Sequence, residues 1–254
     1  MLNIEIIPCL NDNYSYVLHD EKNNMVAIVD PSDFKTCDKV ISQKFKKLDF
    51  ILNTHHHADH IGGNEKLKDK YKSKILACEI DRNRIPNIDQ HLHDGQTVKI
   101  GNFSFKVIFI PGHTKGHIAF YFENEKIIFT GDTLFSLGCG RIFEGTPKQM
   151  FSSINKIKNL PKDTKIYFGH EYTKSNSNFC FNFDKNNKAL QKKISWINTR
   201  QKKGLPTSPT ILEEELLTNI FLRCENDMIK KSLGMNNKAD ELVFEKLRNL
   251  KDNF

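Results

Sequence analysis

Four of the chain's ten histidines stand within six positions, at His55, His56, His57 and His60 in the segment NTHHHADHIGG. The segment follows a short apolar run, Phe50-Ile51-Leu52, bounded by polar residues, which suits a buried strand. The cluster therefore lies at the carboxyl end of a strand, where α/β folds place their sites. In an extended loop alternate side chains point the same way, so His55 and His57 converge on one point. Asp59 continues that side, His60 turns to a neighbouring point, and His56 faces the opposite way, towards packing. Gly62 and Gly63 let the chain turn tightly into a following helix. Imidazole and carboxylate together suit Zn, Fe, Mn or Ni, and the lack of cysteine in the set argues for a catalytic metal site rather than a closed structural zinc. Two ligands two residues apart cannot complete a site. Three further candidates follow apolar strands and are flanked by glycine: His113 in PGHTKGH, Asp132 in TGDT and His170 in YFGHEY. His117 is expected to support the site rather than ligate. His19, His91 and His93 lie near turn signals and are expected at the surface.

The flanking patterns predict an α/β region followed by a helical one. Strands are expected over 2–7 and 14–18, around the polar turn at 11–13, then over 25–29 and 50–52, with a helix over 37–45 between the last two. Asp94-Gly95 is a hairpin signal. Strands are expected at 97–100 and 103–110, at 117–122 and 127–130, and finally at 166–168. Thr146, Pro147 and Gln149 form a capping box that opens a helix ending near Pro161. Beyond about residue 172 the strand signals stop. Helices are expected over 188–199 and 238–250, with a proline-containing linker at 205–209. A second capping box at 210–213 opens a helix with the apolar stripe Leu212, Leu216, Leu217, Ile220 and Phe221. The boundary is placed at 172, with a catalytic α/β domain over 1–172 and a helical domain over 173–254.

With 254 residues the chain can bury a sizeable core, and 38% hydrophobic against 27% charged residues is the balance of a soluble globular protein. No stretch approaches the ~20 apolar residues that cross a bilayer. The N-terminal segment has no basic region ahead of its polar residues, so no signal peptide is expected and the cytoplasm is the expected compartment. The six cysteines are scattered without a CxxC pair, as buried thiols are. The formal charge of +7 comes with lysines spaced along helix faces and with no Gly/aromatic RNA-binding motif, so no nucleic-acid partner is expected. A positive balance does draw small anions.

In the positions named, the chain resembles the metallo-β-lactamase superfamily, and within it the glyoxalase II (hydroxyacylglutathione hydrolase) family. The HxHxDH motif at His55, His57, Asp59 and His60, followed by His113, Asp132 and His170, matches the superfamily's ligand series in order and spacing. NDNYSY from Asn11, GDTLFSLGCGRIFEGT from Gly131, GHEYT from Gly169, NIFLR from Asn219 and RNLKDNF from Arg248 resemble the narrower family. The resemblance implies an αββα sandwich with a small α-helical C-terminal domain. It implies two divalent metals, zinc foremost, with iron or manganese as alternatives. His55, His57 and His113 would hold the first, Asp59, His60 and His170 the second, and Asp132 both. It further implies hydrolysis of S-D-lactoylglutathione and related 2-hydroxyacyl thioesters to glutathione and the free acid, the second step of methylglyoxal detoxification, by a hydroxide shared between the metals. Asp59 and Asp132 are then the catalytic carboxylates. Tyr172, Arg141, Phe143, Arg248 and Lys251 would bind substrate, the last Arg-x-x-Lys pair taking the glycine carboxylate. Arg141 keeps the charge of a lysine found in some members, and Phe143 keeps the ring of a tyrosine without its hydroxyl. A monomer acting on a small molecule, with no membrane partner, is expected. Other reactions of the superfamily (persulfide oxidation, lactone or β-lactam hydrolysis, nucleic-acid cleavage) and a non-catalytic metal- or glutathione-binding protein are the rival readings; the C-terminal domain with its Arg-x-x-Lys end separates the glyoxalase II type from them.

Overall fold

The computed structural model describes residues 2–254. The chain divides into two compact units, Met1–Phe109 with Thr114–Gly131, and Ile110–His113 with Asp132–Phe254.

The first unit opens with strands β1 (Leu2–Cys9), β2 (Asn13–Asp20) and β3 (Met25–Val29) in antiparallel succession. Helix α1 (Phe34–Lys44) then crosses back to β4 (Phe50–Leu52), and helices α2 (Ala58–Ile61) and α3 (Asn64–Tyr71) lead to β5 (Lys74–Cys78) and β6 (Gln90–Leu92). The strands β3 to β6 run parallel in sequence order, as helical crossovers dictate. All five residues of β3 are buried, the run of apolar side chains that a strand covered on both faces requires. One face carries α1 and α3 over a core that includes Ile7, Val17, Ile28, Ile41, Ile51, Leu67 and Ile75. A second sheet is built from β7 (Thr97–Ile100), β8 (Phe103–Phe109), β9 (Ile118–Phe122) and β10 (Ile127–Gly131), each antiparallel to the next. It meets the first where the Tyr16 and Phe129 rings lie 5.4 Å apart and where Asn102 N donates to Asp20 Oδ2 at 2.9 Å.

The second unit begins with the two-residue strands β11 (Leu134–Phe135) and β12 (Gly138–Cys139), paired as a hairpin. Helix α4 (Pro147–Lys158) starts on the expected capping box, with Gln149 N donating to Thr146 Oγ1 at 3.2 Å and Thr146 N to Gln149 Oε1 at 2.9 Å. After β13 (Lys165–Phe168) come helices α5 (Thr173–Phe183) and α6 (Lys188–Lys202), strand β14 (Thr210–Ile211), and helices α7 (Leu212–Thr218), α8 (Asp227–Ser232) and α9 (Asp240–Asp252). Aromatic contacts join them, Phe151 of α4 with Phe244 of α9 at 5.5 Å and Phe179 of α5 with Phe221 at 6.0 Å.

Four expectations are corrected. Asp94-Gly95 forms a turn but not a hairpin, because it joins β6 of one sheet to β7 of the other. Strand structure does not end at β13: Thr210 pairs with Ile166 in β14. Thr210 consequently does not cap α7, whose first turn has no side-chain cap; its hydroxyl donates to the buried carboxylate of Glu215 at 2.7 Å instead. The expected stripe holds at Leu212, Ile220 and Phe221, which are buried, but the last two lie beyond the end of α7, and the helix's own buried face is completed by polar residues. Glu215 and Thr218 are buried, and Leu217 is 55% exposed. Helix α5, which no periodicity announced, is polar and lies where the sequence offered only scattered Ser, Asn and Phe.

Candidate metal centre

In the first unit, the carboxyl ends of the parallel strands β3 and β4 stand side by side, which brings Asp30 next to the histidine segment. Asp30 accepts from Thr54 N at 2.8 Å and from Thr54 Oγ1 at 2.6 Å. That hydroxyl has given its only proton to Asp30, so at 3.0 Å from His55 Nδ1 it must accept. His60 Nδ1 lies 3.1 Å from Asp30 Oδ2, an oxygen that can only accept when ionised. His55 and His60 are thereby fixed as Nδ1-protonated tautomers that present the Nε2 lone pair, the form a metal requires. The rings of His55 and His60 are 4.1 Å apart, those of His55 and His57 4.7 Å, and His60 Nε2 is 3.6 Å from Asp59 Oδ2. Potential donor atoms of Asp30, His55 and His60 all lie within 4.8 Å of one another. Asn13 Nδ2 donates to Asp59 Oδ2 at 2.9 Å. His117 is buried and stacks on His55 at 4.7 Å, a supporting place. His56 faces away, its Nδ1 3.6 Å from Asp81 Oδ2, beside Arg84, which pairs with the same carboxylate.

The second unit gathers His113, Asp132 and His170. Asp132 Oδ2 lies 3.4 Å from His113 Nε2 and 3.2 Å from His170 Nε2, all three side chains buried. His113 Nδ1 meets the backbone oxygen of Arg141 at 2.7 Å, so this imidazole too carries its proton on Nδ1. The His170 and Tyr172 rings stack 4.8 Å apart at 3°. A cavity of about 210 Å³ in this unit is lined by Phe135, Cys139, Arg141, Tyr172, Arg248 and Lys251, among others. Arg248 is buried; its Nη1 donates to Cys139 O at 2.6 Å and its Nη2 to Asp252 Oδ1 at 3.0 Å. Lys251 donates to Ser175 Oγ at 3.0 Å, and burial, with the Arg248 charge beside it, holds its ammonium below the ordinary lysine range. Phe143 does not line this cavity. It is 61% exposed, with its ring against that of His113 at 5.2 Å and the Arg141 guanidinium 5.8 Å from its centroid. Cys139 is no nucleophile: burial pushes its thiol up to about 11.

Sequence reasoning passed over Asp30, Thr54, Asn13, Ser175 and Asp252. Asp30 alone carried a usable signal, an acid directly after an apolar strand and before Pro31, the same strand-end placement that marked the other candidates. The donor set of both units consists of imidazole nitrogens and carboxylate oxygens, most of them buried. Three imidazoles have Nδ1 tied to a protein oxygen. These residues fit divalent Zn, Fe or Mn.

Residues 12–170 match the family described as the metallo-beta-lactamase superfamily, and residues 171–254 match the one described as hydroxyacylglutathione hydrolase C-terminus. A hydroxyacylglutathione hydrolase of Pelagibacter ubique is 50% identical over 253 residues, 100% of this chain and of its own. One from Methylococcus capsulatus is 41% identical over 254 residues, 100% of this chain and 99% of its own. Among solved structures, the BLEG-1 B3 metallo-beta-lactamase aligns with a TM-score of 0.68 at 23% identity, over 87% of this chain and 99% of that one, a likeness of fold. With both family matches and full-length relatives at such identity, the chain belongs to the hydroxyacylglutathione hydrolases, a metallo-β-lactamase-fold domain followed by the helical domain of that family.

Proposed function

We propose that the protein hydrolyses the thioester of S-D-lactoylglutathione and related 2-hydroxyacyl-glutathiones, releasing the 2-hydroxy acid and glutathione. The observation that carries this reading is the cavity lined together by Arg141, Tyr172, Arg248 and Lys251. It is a small polar recess with three cations, suited to a peptide-like anion, in a chain alignable from end to end with hydroxyacylglutathione hydrolases. Residues 1–172 form the catalytic part and 173–254 the glutathione-binding part. His55, His57 and His113 would hold one divalent ion, Asp59, His60 and His170 a second, with Asp132 shared; zinc is the first assignment, iron or manganese the alternatives. Two such ions supply Lewis acidity at the carbonyl and lower the pKa of a water from ~16 towards ~7. Asp59, steadied by Asn13, orients that water towards the carbonyl carbon. Arg248 and Lys251 take the glycine carboxylate, and Tyr172 and Arg141 flank the peptide portion, so that binding energy is converted into placement of the thioester. The leaving thiolate has an ordinary pKa near ~8.5 and needs no general acid. The same reading carries a monomeric cytoplasmic enzyme of methylglyoxal detoxification with no nucleic-acid or membrane partner. Among the described residues no helix is long and apolar enough to cross a membrane.

The test is release of thiol from S-D-lactoylglutathione by purified protein, with and without prior chelation. Rapid, chelator-sensitive release is expected, and Asp132→Ala should abolish it. No release from protein that demonstrably contains metal would overturn the assignment.

A further inference from the structure

We propose that Asp252 is a specificity-determining residue of this cavity, an internal anion that competes with the ligand's carboxylate for Arg248 and Arg141. The inference rests on the glutathione reading and adds a residue to it. One oxygen, Asp252 Oδ1, lies 3.0 Å from Arg248 Nη2 and 3.5 Å from Arg141 Nε. Asp252 is the single acidic side chain among the residues that line the cavity, against three cations.

A purely structural role for Asp252 is poorly supported. It occupies the last turn of α9, where the helix dipole disfavours a negative charge. Its pairing with Arg248 is i,i+4 with the base first, the weaker order for such a pair on a helix. Arg248 does not need it for position, since Nη1 is held by Cys139 O at 2.6 Å and the guanidinium sits 5.5 Å from the centroid of the Phe221 ring. Arg248 Nε is buried without a hydrogen-bond partner, so the guanidinium has capacity for another acceptor. Arg141, by contrast, has a 58% exposed side chain and is free to swing towards a ligand once released.

A carboxylate entering the cavity therefore meets two guanidinium groups already half-neutralised. Asp252 weakens anion binding and selects for ligands able to engage Lys251 as well. Removing one negative charge about 6 Å from an incoming carboxylate strengthens binding by about fivefold to tenfold at an effective dielectric of about 40 to 60, between that of a protein surface and that of bulk water.

The measurement is calorimetric titration of S-hexylglutathione into the wild-type protein, Asp252→Asn and Asp252→Glu, at low and high salt, alongside the analogue whose glycine carboxylate is amidated. Asp252→Asn is expected to bind S-hexylglutathione about fivefold to tenfold more tightly, with a steeper salt dependence, and to lose that gain with the amide. Asp252→Glu, which keeps the charge, should stay near wild type and controls for folding. Unchanged or weaker binding by a folded Asp252→Asn protein overturns the proposal and leaves the glutathione reading standing. If the wild type binds neither ligand, the glutathione reading fails, and this proposal with it.

Discussion

His113 donates through Nδ1 to the backbone carbonyl of Arg141 across 2.7 Å. A candidate metal ligand is thus oriented by the backbone of a residue whose side chain lines the second unit's cavity. The hydrogen bond forms because the chain after Asp132 doubles back through Gly138-Cys139-Gly140.

Gly140 is the residue on which that return depends. A Cβ built there would lie inside the contact distance of the Asp132 carbonyl oxygen and 3.4 Å from His113 Nδ1. Gly140→Ala must displace the Asp132 backbone, while the contact with His113 Nδ1 is an ordinary one. Activity should fall by about 100-fold, a loss in keeping with a misplaced reacting geometry, and bound metal by elemental analysis should fall with it. A variant with full metal content and normal turnover would refute the role given to this turn.

Asp30 holds Thr54 and His60 in place through both of its carboxylate oxygens. Its two oxygens serve Thr54 N, Thr54 Oγ1 and His60 Nδ1 at 2.8, 2.6 and 3.1 Å. Asp30→Asn keeps the volume but replaces one acceptor by a donor, so either Thr54 or His60 loses its partner. Metal affinity should drop about 10- to 100-fold, the usual cost of losing such an orienting partner. Competition with a chromophoric chelator reads this directly, and an unchanged affinity would show that Asp30 is dispensable.

The histidine segment and the strand-end placement of His113, Asp132 and His170 were legible because they rest on local features: an apolar strand, a glycine, a ligand. The core strands were legible for the same reason, since burial on both faces leaves an unbroken apolar run such as Met25–Val29. What the sequence hid depends on partners distant along the chain. Thr210 followed by Glu213 reads as a capping box, yet Glu215, five residues on from Thr210, takes the hydroxyl because it is buried with Lys193 and Ser136. Asp252 drew no reading from the sequence, because only the fold brings Arg141 to it from 111 positions away.

Lys251 separates binding from stability. Burial and the neighbouring Arg248 hold its ammonium below the ordinary 10.5. The unfolded chain then binds this proton more tightly than the folded one. The charge therefore costs stability at neutral pH, and the cost is relieved as pH rises from the lowered value towards 10.5. Lys251→Met should raise KM about tenfold or more, as expected for losing a charge-assisted contact, while leaving the melting temperature equal or higher. A drop in melting temperature together with an unchanged KM would reverse both roles.

Glu215 makes the opposite case. Five groups converge on its buried carboxylate: Ser136 Oγ at 2.9 Å, Leu137 N at 2.7 Å, Lys193 Nζ at 2.6 Å, Thr210 Oγ1 at 2.7 Å and Asn219 Nδ2 at 3.1 Å. Burial alone would push this carboxyl up; the Lys193 ammonium and the hydrogen bonds outweigh it and hold it below the ordinary 4.5. A depressed carboxyl contributes stability that is complete above 4.5 and is lost as pH falls through the folded-state value. Glu215→Ala strands the buried Lys193 charge and should cost about 3–5 kcal/mol, whereas the double variant with Lys193→Met should recover part of it. Ser136 and Leu137 sit between β11 and β12, whose Phe135 and Cys139 line the cavity proposed for glutathione, so affinity for S-hexylglutathione should weaken in the single variant as well. The gap in melting temperature between wild type and Glu215→Ala should be widest near neutral pH and close as the solution is taken well below 4.5. A gap that stays constant over that range would mean that the ionised carboxylate is not what holds the loop.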